Sequence, residues 1–148
     1  MKKILLLLSF SLVLISCEKS HDLKNLKLDQ ISISDCKSTK GILTDSIKYK
    51  TVDNNYLSIT HVNSYFNCDP GILTVDIKTQ NDTVIINESE ERGLSNYICP
   101  YDFSFRIGPM DYGTYNFVLK KGGLLYIRFI IDFKSTTNGG FMIAHLDK

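Results

Sequence analysis

Tryptophan is absent from these 148 residues, and proline and histidine occur three times each. Without tryptophan, stacking on sugar rings falls to lone tyrosines such as Tyr126, and single surface aromatics are ordinary features. The histidines stand at His21, His61 and His145, so no pair has the close spacing of a zinc site. His61 falls inside an expected strand and reads as an ordinary strand residue. Neither sign of charge dominates: 17 Lys and Arg face 16 Asp and Glu, a formal net of +1. No basic stripe marks a nucleic-acid partner, and no acidic run marks a solvating tail. Phosphate-binding glycine loops, a nucleophile elbow and an Asp-rich calcium loop are missing as well. These absences leave no catalytic residue, metal or cofactor to expect.

What is present begins at the amino terminus. Lys2 and Lys3 precede an apolar run from Ile4 to Ile15, interrupted only by Ser9 and Ser11. That run is too short and wrongly flanked to span a membrane, so residues 1–16 read as a cleaved export signal. It closes on Leu14-Ile15-Ser16-Cys17, the form of a bacterial lipobox. Cys17 is therefore expected to carry lipid, and two or more acyl chains anchor a protein stably where one does not. The membrane is then a partner through Cys17, and the expected address is the outer membrane, on its periplasmic face or at the cell surface. Loss of Lys2 and Lys3 with the signal leaves about 132 residues of net charge −1, enough for one ordinary domain. Residues 17–34 are polar and lysine-rich and read as a tether, with the domain over residues 35–148.

From about Gly41 the pattern is that of strands. Ile42–Thr51 and Tyr56–Phe66 are separated by Asp53-Asn54-Asn55, and Cys68-Asp69-Pro70-Gly71 makes the next turn. Leu73, Val75 and Ile77 alternate with polar residues, and Asn81-Asp82 sets a tight hairpin before Thr83-Val84-Ile85-Ile86. Tyr101, Phe103, Phe105 and Ile107 share one face while Asp102, Ser104 and Arg106 share the other. Tyr115, Phe117 and Leu119 follow, and after Lys121-Gly122-Gly123 the set Leu125, Ile127, Phe129, Ile131 and Phe133 alternates along a last strand. About seven one-faced strands in one domain predict an all-β, immunoglobulin-like antiparallel two-sheet sandwich with Greek-key connections. Met110-Asp111-Tyr112-Gly113-Thr114-Tyr115 fits a tyrosine corner, in which the Tyr115 hydroxyl bonds backbone a few residues upstream.

Lipidation of Cys17 leaves Cys36, Cys68 and Cys99, and an exported chain permits disulfides. Three cysteines imply one bridge and one free thiol. If strands alternate in direction, Cys68 and Cys99 meet at one end of the sandwich, which favours that pair. Cys36 lies near a strand start at the same end, so Cys36–Cys68 is the rival. Cys99-Pro100-Tyr101-Asp102 lacks the second cysteine and the helix of a redox motif, so a structural bridge is expected there. Glu88, Glu90, Glu91 and Arg92 fall beside Gly93 and read as a solvated strand-end loop. The polar run Glu88 to Tyr97, with the turn at Asp69, is the candidate contact region, since binding residues concentrate on loops held by rigid scaffolds.

The blocks Ser64-Tyr65-Phe66-Asn67-Cys68-Asp69-Pro70-Gly71, Asn87-Glu88-Ser89-Glu90, Cys99-Pro100-Tyr101-Asp102-Phe103 and Gly113-Thr114-Tyr115 resemble those of a family of small uncharacterised Bacteroidetes lipoproteins. The resemblance covers roughly Asp35 to Phe133 and implies an envelope location and a sandwich, with no activity. Members carry further cysteines where this chain has Asp69, Ser95 and Tyr97. It also implies candidate O-glycosylation at Ser46 and Thr83, within Asp45-Ser46-Ile47 and Asp82-Thr83-Val84. The expected role is non-catalytic binding or scaffolding at the envelope, with an envelope protein as partner. An enzyme or enzyme-inhibitor module with an unrecognised loop site is the alternative.

Overall fold

A computed structural model of the chain describes residues 23, 25–37, 44–53 and 55–144, and every regular element among them is a strand. The strands are β1 (Lys27–Ile33), β2 (Ser46–Val52), β3 (Tyr56–Asn67), β4 (Leu73–Gln80), β5 (Thr83–Glu90), β6 (Ile98–Gly108), β7 (Gly113–Lys121), β8 (Leu124–Phe133) and β9 (Asn138–Met142). They form two open sheets, one in the order β1-β6-β3-β2-β9 and one in the order β4-β5-β7-β8. The inner faces pack Ile47, Leu57, Ile59, Phe103, Phe105 and Ile107 against Val84, Ile86, Phe117, Leu119, Ile131 and Phe133. This is the two-sheet β-sandwich that the alternation predicts.

The strand count is nine rather than about seven, and the additions are both edge strands. Residues 27–33, assigned above to the tether, are β1 and pair antiparallel with β6. The ladder slips between Asp29 and Ser32, and this bulge breaks the alternation of β1. A bidentate ion pair also holds it, with Arg106 Nε and Nη2 donating to the Asp29 oxygens at 2.9 and 3.0 Å. β9 is short, contains Gly139 and Gly140, and closes the other edge against β2. The first expected strand starts later than Ile42, at Ser46. β5 and β7 are parallel, because the chain leaves β5, crosses to β6 in the other sheet and returns as β7.

The Tyr115 hydroxyl donates to the Asp111 carbonyl at 2.8 Å, which makes the expected tyrosine corner at the start of β7. Tyr115→Phe keeps the buried ring but removes this bond. It should cost about 0.5–1.5 kcal/mol in urea denaturation.

Strand directions sort the connections into two ends. One end, here the turn end, carries the entry to β1 and the connections β2–β3, β4–β5, β6–β7 and β8–β9. The opposite loop end carries residues 34–37, the approach to β2, the loops 68–72 and 91–97, and the turn Gly122-Gly123.

Candidate functional site

Three inward positions near the loop end are ionisable where their neighbours are apolar. Asp45 precedes inward Ile47, His61 follows inward Leu57 and Ile59 on β3, and Glu88 follows inward Val84 and Ile86 on β5. All three are buried, with His61 and Glu88 at 0 % exposure. Uncompensated burial of such groups is costly, so buried charges are paired.

They meet around the imidazole. His61 Nε2 donates to Asp45 Oδ1 at 2.6 Å, and Nδ1 to the Glu88 oxygens at 2.8 and 2.9 Å. Ser64 Oγ donates to Glu88 Oε2 at 2.9 Å, and the Tyr126 hydroxyl donates to Asp45 Oδ2. Lys121 lies beside this group, with Nζ 4.6 Å from the Phe66 ring centroid and 4.7 Å from that of Tyr126. It donates to the Tyr65 carbonyl at 2.8 Å. Among the described residues, every buried side-chain nitrogen and oxygen has a hydrogen-bond partner.

Two bulges aim these side chains. In the β3–β6 ladder His61 faces Phe103 while Ser64 faces Tyr101, so β3 carries one extra residue between them. Asn63 sits in that bulge with φ at 61°, and the slip turns Ser64 to the inner face that His61 already shares with Leu57 and Ile59. The bulge is pinned from outside: Asn63 N and Lys37 Nζ both donate to Asp102 Oδ1, at 2.9 and 2.5 Å. In the β7–β8 ladder Leu119 faces Ile127 and Lys120 faces Leu125, which leaves Tyr126 as the extra residue. Leu125, expected inward, is exposed, and Tyr126 reaches in to Asp45. Tyr126 is therefore no surface platform for a sugar.

Burial disfavours charge on the ring, but hydrogen bonds and charge from Asp45 and Glu88 outweigh it and push His61 up to about 9. Burial also opposes the Asp45 carboxylate, yet His61, with Tyr126 and Lys121 behind it, holds Asp45 below the usual carboxylate range. Tyr126 is pushed well above an ordinary phenol by burial and by the Asp45 carboxylate. Burial lowers Lys121, which the charges of Glu88, Asp45 and Glu90 only partly offset. Both ring nitrogens donate at once only in the imidazolium, which has no lone pair left for a proton or a metal. The cluster is an internal ion network of two cations and two carboxylates. Three open grooves on the outer surface are lined by residues such as Lys48, Gly139, Phe141, Asn116 and Arg128, and no network residue lines them.

The other candidate residues lie as follows. Glu88, read above as part of a solvated contact loop, is instead buried in β5, because it keeps the inward parity of Val84 and Ile86. Glu90 ends β5 and accepts from Asn67 N at 2.9 Å, while Glu91 and Arg92 are exposed. Ser46 and Thr83 open β2 and β5 and are half-buried, and Asp45 of the first triplet is committed to His61. Cys99 Sγ lies within bonding distance of both Cys36 and Cys68, with Cα separations of 5.5 and 4.9 Å. Cys17 and the expected export signal lie outside the described residues. Comparison with protein-family models, with curated proteins and with solved structures returned no match for this chain.

Sequence reasoning joins none of the network residues: it takes His61 for an ordinary strand residue, Glu88 for part of a solvated loop and Tyr126 for a surface aromatic, and gives Asp45, Ser64 and Lys121 no part in a site of ionisable groups. A signal existed for part of the set: Asp45, His61 and Glu88 each stand on the apolar parity of a strand. No sequence signal marks Ser64 or Tyr126, since each reaches the network through a bulge.

Proposed function

We propose that this chain is a lipid-anchored envelope protein that holds a partner protein with its loop end and performs no chemistry of its own. The observation that carries this reading is the opposition of the two ends. Among the described residues, seven of the ten exposed large apolar side chains are gathered at or beside the loop end: Ile72, Leu94, Tyr97, Ile98, Leu124, Leu125 and Met142. Concentrated exposed apolar surface marks interaction sites. The chain enters β1 from the turn end, and only five residues separate Cys17 from buried Leu23. A lipid on Cys17 therefore keeps the turn end against the membrane and directs the apolar loop end away from it. The His61 network supports a structural role for the ionisable groups beneath that end, since both imidazole nitrogens are occupied.

Cys17→Ser should move the protein from the membrane pellet to the soluble fraction. Leu94→Ser combined with Tyr97→Ser changes two exposed side chains, so the melting temperature should stay the same. The variant should lose a chemical cross-link that the wild type forms in intact envelopes. Unchanged sedimentation overturns the anchor, and unchanged cross-links overturn the loop end as the binding face. Turnover in a hydrolase substrate screen overturns the non-catalytic reading.

A further inference from the structure

The loop end also brings together the three cysteines of the described residues. Their sulfurs all lie within 4.8 Å of one another. Cys99 is the second residue of β6 and is buried, whereas Cys68 is half-buried just beyond β3 and Cys36 is exposed just beyond β1. Backbone bonds hold the outer two in place: Cys68 N donates to the Tyr97 carbonyl at 2.9 Å, and Lys37 N to the Pro100 carbonyl at 3.0 Å. Both Cα separations to Cys99, 5.5 and 4.9 Å, fall in the roughly 4.4–6.8 Å range that a disulfide spans. One sulfur forms one disulfide, so each bridge leaves the remaining thiol touching it.

We propose that Cys36, Cys68 and Cys99 form a disulfide-exchange triad, in which Cys99 trades its bond between Cys36 and Cys68 and a free thiol alternates between two surface segments. The first bridge forms by exchange with an external disulfide, which leaves as two thiols. From the Cys36–Cys99 form, Cys68 gives its proton to water and attacks Cys99 Sγ. The Cys68–Cys99 bond forms as the Cys36–Cys99 bond breaks, and the electron pair leaves on Cys36 Sγ, which takes a proton from water. One disulfide and one thiol stand on each side of this step, so no oxidant or reductant is consumed. Attack by a thiolate on a neighbouring disulfide is the ordinary route of such exchange. The two forms differ in what they fasten. Cys36–Cys99 ties down the segment leaving β1, and Cys68–Cys99 ties down the loop 68–72 that carries Ile72. The thiol exposed at Cys36 is the one that meets external disulfides, of small thiols or of proteins.

Unreduced peptide mapping of the full chain tests this. Acid quenching followed by alkylation should find both Cys36–Cys99 and Cys68–Cys99, each with the third thiol labelled. A slow, bulky maleimide at pH 8 should instead draw the population toward labelled Cys36, because exchange refills that thiol, and its share should rise about twofold or more over the acid-quenched sample. Cys36→Ser and Cys68→Ser should each form the one bridge left to Cys99. A single connectivity under both conditions overturns the proposal. So does a bridge from the third cysteine to Cys17, a Cys36–Cys68 bridge with Cys99 free, or a metal ion held by all three thiolates in the isolated protein.

Discussion

His61→Leu is expected to destabilise the domain by about 3–5 kcal/mol at neutral pH, because it leaves Asp45 and Glu88 buried without their common cation. Lys121 is the remaining positive group nearby, and it bonds to the Tyr65 carbonyl rather than to either carboxylate. The loss should shrink in acid, where the stranded carboxylates take up protons. Replacing the set together, as His61→Leu with Asp45→Asn and Glu88→Gln, should recover much of the stability, since a buried ion network is weak evidence of net stabilisation. Urea denaturation of the three proteins between pH 4 and pH 9 measures all of this. A His61→Leu variant as stable as wild type at pH 7 overturns the network as described.

The same network gives the wild type a pH profile. His61 is raised from 6.5 to about 9, so its contribution is complete below pH 6.5 and is lost as the pH rises through 9. The loss is on the order of 3 kcal/mol. Asp45 is lowered, so its contribution is present above its ordinary 3.8 and is lost as the pH falls. Lys121, lowered by burial, contributes with the opposite sign to His61 on the alkaline side, and Tyr126, raised, loses its contribution only beyond the ordinary phenol range. The expected optimum lies between about pH 4 and 6.5, and the decline from pH 6.5 through 9 is the part that His61→Leu abolishes.

Cys99→Ser is expected to have the second-largest effect and to differ in kind from the other cysteine variants. Cys99 is common to both bridges, whose sequence separations are 63 and 31 residues. Each molecule holds one of these closures at a time, worth about 3–4 kcal/mol in the chain-entropy picture, and Cys99→Ser removes it whichever partner Cys99 has. Cys36→Ser and Cys68→Ser each keep one closure and should stay within about 1 kcal/mol of wild type. Denaturation with and without reductant, alongside a free-thiol count, checks the pattern. Reductant should lower the single-bridge variants to the level of Cys99→Ser. Equal losses from all three substitutions would show that neither outer cysteine can replace the other as the partner of Cys99.

Legibility in the sequence followed burial on one face. β4, β6 and β7 each pack one side and expose the other, so their alternation survives in the residues, and the tyrosine corner was readable because its bond spans only four positions. β1 and β9 were not readable, because a bulge between Asp29 and Ser32 breaks the alternation of β1 and β9 is a five-residue strand with two glycines. Glu88 misled for a related reason. Among Glu90, Glu91 and Arg92 it reads as one more charge in a loop, and only its parity with Ile86 says otherwise.

The sequence by itself determined the sandwich, because burying one face per strand in a chain of this size leaves two packed sheets as the natural outcome. It also set the inward parity of Asp45, His61 and Glu88, which is a local property of each strand. Only the tertiary structure decided that these three converge, since Asp45, just before β2, and His61 lie with one sheet and Glu88 reaches them from the other. It alone decided where the ladders slip, because a bulge follows from the fit of one strand to its neighbour. Those two slips bring Ser64 and Tyr126 into the network and turn Leu125 outward. The meeting of Cys36, Cys68 and Cys99 is likewise a product of strand order: β6 lies between β1 and β3, and so places Cys99 between the other two.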